Sequence, residues 1–156
     1  MPAARRSRFQ GVLGMSLLIL SATVQAQPAV PAGQAVFDRQ CAACHQVGGK
    51  GLPGMAPALA QVLATLPGQE DGRRYLAQVL VHGLSGRIVS QGQTFVGAMP
   101  PQASLSDAEL ADVANYLARD LNGAAESPFA AADFARTRGE KVTHKELREL
   151  RGKLLK

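Results

Sequence analysis

Both cysteines of the chain fall within one five-residue stretch, Cys41-Ala42-Ala43-Cys44-His45. A C-x-x-C-H spacing is the one used for covalent haem attachment. Two thiols on one helical turn reach the two vinyl groups of a porphyrin, and a histidine directly after the second is held beneath the iron as an axial ligand. Cys41 and Cys44 are thus the candidate tethers and His45 the candidate iron ligand. Three other uses of these residues compete: a simple disulfide, a thioredoxin-like redox pair, and half of a zinc site. A thioredoxin motif needs a preceding strand and a βαβ surround, whereas residues 32–40 read as a helix and no parallel-strand pattern follows. Tetrahedral zinc needs four ligands, and beyond these three residues His82 and His144 are the remaining candidates.

A haem also answers a shortage. The 156 residues fit one domain with ends to explain, yet Trp is absent, Tyr and Phe number 2 and 5, and the chain holds 16 Gly and 9 Pro. A large flat apolar ring buries the area that aromatic side chains would otherwise supply.

The N-terminal end separates cleanly. Residues 1–26 carry a basic start (Arg5, Arg6, Arg8), an apolar run from Val12 to Leu20 and small residues up to Ala26, the pattern of a secretory signal peptide. The run is short against the roughly 20 residues of a membrane span, so cleavage near Ala26 and a periplasmic mature chain from Gln27 are expected. Residues 27–135 then hold 6 basic and 9 acidic side chains, and residues 136–156 hold 8 and 3. Export argues against nucleic acid as the partner of that basic tail, and no aromatic residues interleave its charges as a single-strand binder requires.

Gly33, Phe37 and Cys41 recur at helical spacing on one face of an opening helix that runs into the motif. Leu76, Val79 and Leu80 mark a helix over 71–82 ended by Gly83, and residues 87–96 read as a hairpin turning at Gln91-Gly92. Ser106 and Glu109 form a capping box that opens a closing helix, whose stripe of Leu110, Val113, Ala114, Leu117 and Leu121 ends near Asn122-Gly123. The opening helix with its haem motif, the loop Gly51–Leu59, the Met99-Pro100 pair and this closing helix resemble class I c-type cytochromes from about Ala32 to Asn122. The resemblance implies an all-α cytochrome c fold: three to four helices wrapped around one covalent haem c, here with a hairpin-like insertion and a C-terminal amphipathic helix. It implies that the haem domain spans 27–123, that Gly33 lets the opening and closing helices touch, and that Phe37 packs near Tyr116. It implies further that the closing helix covers one haem edge and that the Pro57 carbonyl orients His45, with Pro53 as the fallback.

Candidates for the second axial position are Met99, Met55, His82 and an open site. Met99 is favoured by the resemblance and by ligand chemistry: it lies 54 residues after His45, far enough for the chain to pass to the other haem face, in a loop stiffened by Gly97 and Pro100-Pro101. Met55 sits in the loop expected on the His45 side, and a histidine at a helix end such as His82 usually serves that terminus. His/Met ligation closes the iron and raises its potential, which suits electron transfer; an open site suits gas binding or peroxide chemistry.

Residues 124–156 read as a linker followed by a basic amphipathic helix, capped by Thr143 and Glu146 and carrying Leu147, Leu150, Leu154 and Leu155. Those leucines would dock on the domain itself, on a partner subunit, or at most peripherally on a membrane. The expected function is a periplasmic one-electron carrier, not an enzyme. Its redox partner proteins would be a dehydrogenase-type donor and a terminal oxidase or reductase. The alternatives are a haem subunit of a multi-subunit oxidoreductase and an open-site haem enzyme or gas sensor.

Overall fold

The computed structural model describes residues 30–126 and 128–155, so the expected signal segment lies outside the described residues. The element order is α1 Ala32–Gln40, α2 Ala42–His45, a 3₁₀ turn Val47–Gly49, α3 Glu70–His82, β1 Leu84–Ser90, β2 Gln93–Met99, α4 Asp107–Arg119, α5 Ala131–Arg138 and α6 His144–Leu154.

Helix α1 has no side-chain cap at Pro31, so it depends on packing against α4 rather than on local signals. The crossing is close. A Cβ built on Gly33 would lie 2.1 Å from the Asp112 carbonyl oxygen and 2.7 Å from Tyr116 Cβ. One turn on, the Phe37 and Tyr116 rings meet at 5.4 Å between centroids, tilted by 51°, an arrangement that aromatic quadrupoles favour.

Helix α4 starts on the expected capping box: the Ser106 hydroxyl accepts from the Glu109 amide and the Glu109 carboxylate accepts from the Ser106 amide. Its stripe of Leu110, Val113, Ala114 and Leu117 is buried. Asn122 does more than end the helix. Its Oδ1 accepts from the Leu63 amide at 2.9 Å, and its Nδ2 donates to the carbonyls of Leu59 and Leu117 at 2.9 and 2.8 Å. One carboxamide thereby ties the irregular segment before α3 to the end of α4 and satisfies buried backbone groups that no regular element serves.

The hairpin is longer than the expected 87–96. Its register runs from Leu84↔Met99 through Gly86↔Gly97 and Ile88↔Phe95 to Ser90↔Gln93. Gln91 and Gly92 both have positive φ, 49° and 75°, the signature of the type I′ turn whose twist suits a two-residue hairpin loop.

Helix count is where the structure departs most from expectation: six helices stand among the described residues, against three to four and a tail helix. The stretch from Ala124 read as a linker contains α5. The Ala130 amide donates to the Asp133 carboxylate, Phe134 is fully buried, and Asn115 of α4 grips both backbone groups of Phe129. Burying a Phe stabilises by about 1.5–3 kcal/mol, enough to fix a short helix that carries few start signals. Helix α6 keeps its expected Thr143–Glu146 box and lays its leucines on the domain's own surface, with Leu147 buried and Leu150, Leu154 and Leu155 packed against the core. Among the described residues no helix is long and apolar enough to cross a membrane.

Candidate haem site

Helices α1 and α2 bring the attachment motif to the mouth of a largely apolar cleft. Cys41 is half-buried and Cys44 exposed, both as free thiols. Burial, and then the neighbouring Cys44, push the Cys41 thiol up to about 11. His45 is buried, and desolvation holds its pKa below the ordinary histidine value, against the opposing effect of its bond to Pro57. A neutral imidazole keeps a lone pair on one ring nitrogen for a metal.

The local backbone explains how that imidazole is aimed. His45 Nδ1 donates to the Pro57 carbonyl oxygen at 2.9 Å, which leaves Nε2 as the free nitrogen. Gly51 makes the contact possible: its φ is +74°, and a Cβ there would lie 2.4 Å from the Ala58 amide nitrogen and 2.7 Å from the Pro57 carbonyl carbon. Immediately after the histidine, Gln46 adopts φ 62°, ψ 157°, a region that only glycine enters freely. The chain reverses there under strain.

The hairpin supplies another part of the cleft's lining. Three cross-strand pairs line it: Leu84 with Met99, Gly86 with Gly97, and Ile88 with Phe95. Successive strand residues alternate between faces, so this set is what the register delivers. A Cβ on Gly97 would meet nothing within 4 Å, whereas one on Gly86 would lie 2.8 Å from the Arg148 guanidinium, so of the middle pair it is Gly97 that leaves open space between apolar flanks. Met99 is half-buried and is the last residue of β2 rather than part of a loop. Leu59, Leu63, Leu76 and Val79 complete the apolar lining.

The structure therefore gathers Cys41, Cys44, His45, Pro57 and Met99 around one cleft. Met55 also lines it, but more than half exposed at the rim. His82 is absent from the lining and donates through Nε2 to the Thr137 carbonyl oxygen at 3.0 Å. His144 accepts from the Ser85 amide. No residue of α4 lines the cleft, and the helix packs against α1 and α5. Tyr75 and Arg151 do line it, and neither stands out in the sequence. A helical projection carries the missing signal, since Arg151 lies four residues after Leu147 and so on the leucine side of α6. No group of three or more His, Cys, Asp or Glu side chains able to hold a bare metal ion occurs among the described residues, which leaves the zinc reading without a fourth ligand. The apolar cleft, the paired thiols at its mouth and the aimed imidazole fit a haem.

The comparisons with known proteins agree with the geometry. The Cytochrome c family model matches residues 30–119. A cytochrome c-552 of Thermus thermophilus is 37% identical over 144 residues, covering 90% of this chain and 95% of the relative. A second Thermus thermophilus cytochrome c-552 is 39% identical over 119 residues, 74% of this chain and 91% of its own length. A cytochrome c6 of a Picosynechococcus species is 38% identical over 89 residues, 56% and 69% of the two chains. With one C-x-x-C-H motif and one covalent haem c per chain, the protein is an electron-transfer protein, and it belongs to the cytochrome c family as a monohaem class I c-type cytochrome.

Proposed function

We propose that the protein is a periplasmic one-electron carrier whose haem is tethered through Cys41 and Cys44, with its iron held between His45 Nε2 and the Met99 thioether. The observation that supports this reading is that His45 and Met99 both line one cleft, His45 with its Nδ1 already committed to Pro57. The haem supplies a ferrous/ferric couple, and thioether ligation favours the reduced state while closing the iron to small ligands. The chain's own contribution is threefold. Pro57 fixes the tautomer and orientation of the imidazole, as outer partners of metal-bound histidines do. The hairpin holds Met99 at a strand end, where pairing with Leu84 restricts it. The apolar walls exclude water and so set the potential.

Export rests on the signal-like segment 1–26, with a mature chain starting near Gln27, a haem domain over 27–123, and a C-terminal region over 124–156 whose helix α6 packs back upon it. A dehydrogenase-type donor and an oxidase or reductase acceptor suit a carrier of this family. The test is a reduced-minus-oxidised visible spectrum of protein matured with the haem-attachment machinery, together with intact mass and carbon monoxide addition. A covalent haem mass without a carbon monoxide shift is expected. A strong shift would replace the closed carrier by an open-site haem enzyme or sensor, and no haem mass would overturn the reading entirely.

A further inference from the structure

We propose that His144 and Arg148 are positioning residues for the second iron ligand: from helix α6 they hold both backbone groups of Ser85, and through β1 they fix the strand that ends in Met99. This rests on the reading of Met99 as that ligand. Both residues lie beyond the segment 30–119 matched by the family model, and neither lines the cleft.

A two-stranded hairpin is marginal on its own and needs another element packed against it. Its base is tied to α3, where the Gln102 amide donates to the Leu80 carbonyl oxygen at 2.9 Å. Beyond the base, α6 is the helix that packs closely on the strands, on the side of β1. The Thr143–Glu146 box starts α6 so that His144 is its first residue, and Arg148 follows one turn later on the same face. His144 Nδ1 accepts from the Ser85 amide at 3.0 Å, and Arg148 Nη1 donates to the Ser85 carbonyl oxygen.

The register makes this grip bear on Met99. Residues of an antiparallel ladder alternate between pairs that exchange both backbone bonds and pairs that exchange none. With both groups of Ser85 turned outward to α6, the exchanged bonds fall to its neighbours, Leu84 with Met99 and Gly86 with Gly97. The residue that α6 holds thus stands next to the pair that holds the ligand. Gly86 makes room for the contact: its φ is +102°, and a Cβ there would lie 2.8 Å from Nη1 and 3.0 Å from Cζ of Arg148. Arg148 enters no ion pair among the described residues, so its donors are directed to the strand and not to a carboxylate. Protecting a strand edge requires only a charge nearby. An acceptor and a donor fitted to the two groups of one residue do more, because they fix β1 along its own axis. A ligating side chain works only when its support holds it to within about 0.5 Å of the productive place.

The experiment compares the haem-loaded wild type with Met99→Ala, with the double variant His144→Ala and Arg148→Met, and with His144→Ala and His144→Asn singly. Met99→Ala sets the signature of lost ligation: no red absorption band of a thioether-bound ferric haem, carbon monoxide binding when reduced, and a lower potential. If Met99→Ala matches the wild type in all three, the ligand reading falls and the proposal with it. With that signature in hand, the double variant should keep the haem mass, lose part of the red band, bind more carbon monoxide than the wild type, and shift its potential toward that of Met99→Ala. Exchange of the Ser85 amide should speed about tenfold, the scale of one lost hydrogen bond. His144→Asn, whose carboxamide oxygen can accept from the same amide, should lie closer to the wild type than His144→Ala in potential and carbon monoxide response. Faster Ser85 exchange with a wild-type band, potential and carbon monoxide response would make the two residues supports of the fold alone and overturn the proposal. If the double variant does not fold, a wild-type potential and carbon monoxide response in His144→Ala overturns it instead.

Discussion

His45 Nδ1 donates to the carbonyl oxygen of Pro57 at 2.9 Å across the loop that Gly51 folds back. The bond leaves one nitrogen for iron and fixes the plane of the ring. Met99 is positioned differently, through its place at the end of β2 where it pairs with Leu84.

Met99→Ala should therefore keep the haem attached, since the tethers and His45 are untouched, but open the iron. Carbon monoxide should bind the reduced variant readily and the reduction potential should fall, both read directly on the purified protein. An unchanged spectrum and potential would remove Met99 from the iron.

Gly33→Ala sets two effects against each other. Ala gains about 1 kcal/mol of helix propensity over Gly, but the new methyl carbon would fall 2.1 Å from the Asp112 carbonyl oxygen. Overpacking of a rigid contact costs about 1–3 kcal/mol or more, and here the obstacle is backbone that cannot rotate away. The variant should lose about 1–2 kcal/mol net in denaturant unfolding of the haem-loaded protein.

Gln46→Gly tests the strained reversal after the axial histidine. A non-glycine residue in this conformation costs about 1–3 kcal/mol, against about 0.5–1 kcal/mol for the extra freedom of glycine in the unfolded chain. The variant should be more stable by about 1 kcal/mol, with the haem spectrum unchanged. A loss of stability would mean that the Gln46 side chain contributes more than its backbone conformation costs.

Glu109 gives the acid limb of stability a local origin. Hydrogen bonds from the Ser106 amide and hydroxyl, followed by the charge of Arg39, hold its carboxyl below the ordinary glutamate value. With the folded pKa depressed, the stabilisation is complete above about pH 4.5 and is lost as pH falls through the folded value. The unfolding midpoints of wild type and Glu109→Gln should differ near neutrality and converge in acid. A gap that stays constant with pH would show that the charge of the carboxylate is irrelevant to the cap.

Much of this was legible in the sequence because it is written in local signals. The motif needs five consecutive residues, the capping boxes at Ser106 and Thr143 need four each, and Gln91-Gly92 announces its own turn. Phe37 and Tyr116 could be paired through the family resemblance. What stayed hidden depends on contacts between distant segments. Helix α5 has no hydroxyl or amide side chain at its start and takes its stability from Phe134 in the core and from Asn115 holding Phe129. Asn122 reads as a helix stop, since nothing local says that its amide turns inward to Leu59 and Leu63. The tail leucines could be assigned to a face, but only the packed structure shows which arginine shares that face with Leu147.

The contact between Gly33 and Asp112 also carries the cost of a long loop. It joins the first helix to α4 across about half the chain, and closing a loop of about eighty residues costs about 4 kcal/mol of chain entropy. That cost is repaid at the crossing itself, by the close approach at Gly33 and the Phe37–Tyr116 ring contact. The segment that carries both tethers and the axial histidine is thus anchored by residues that never touch the cleft.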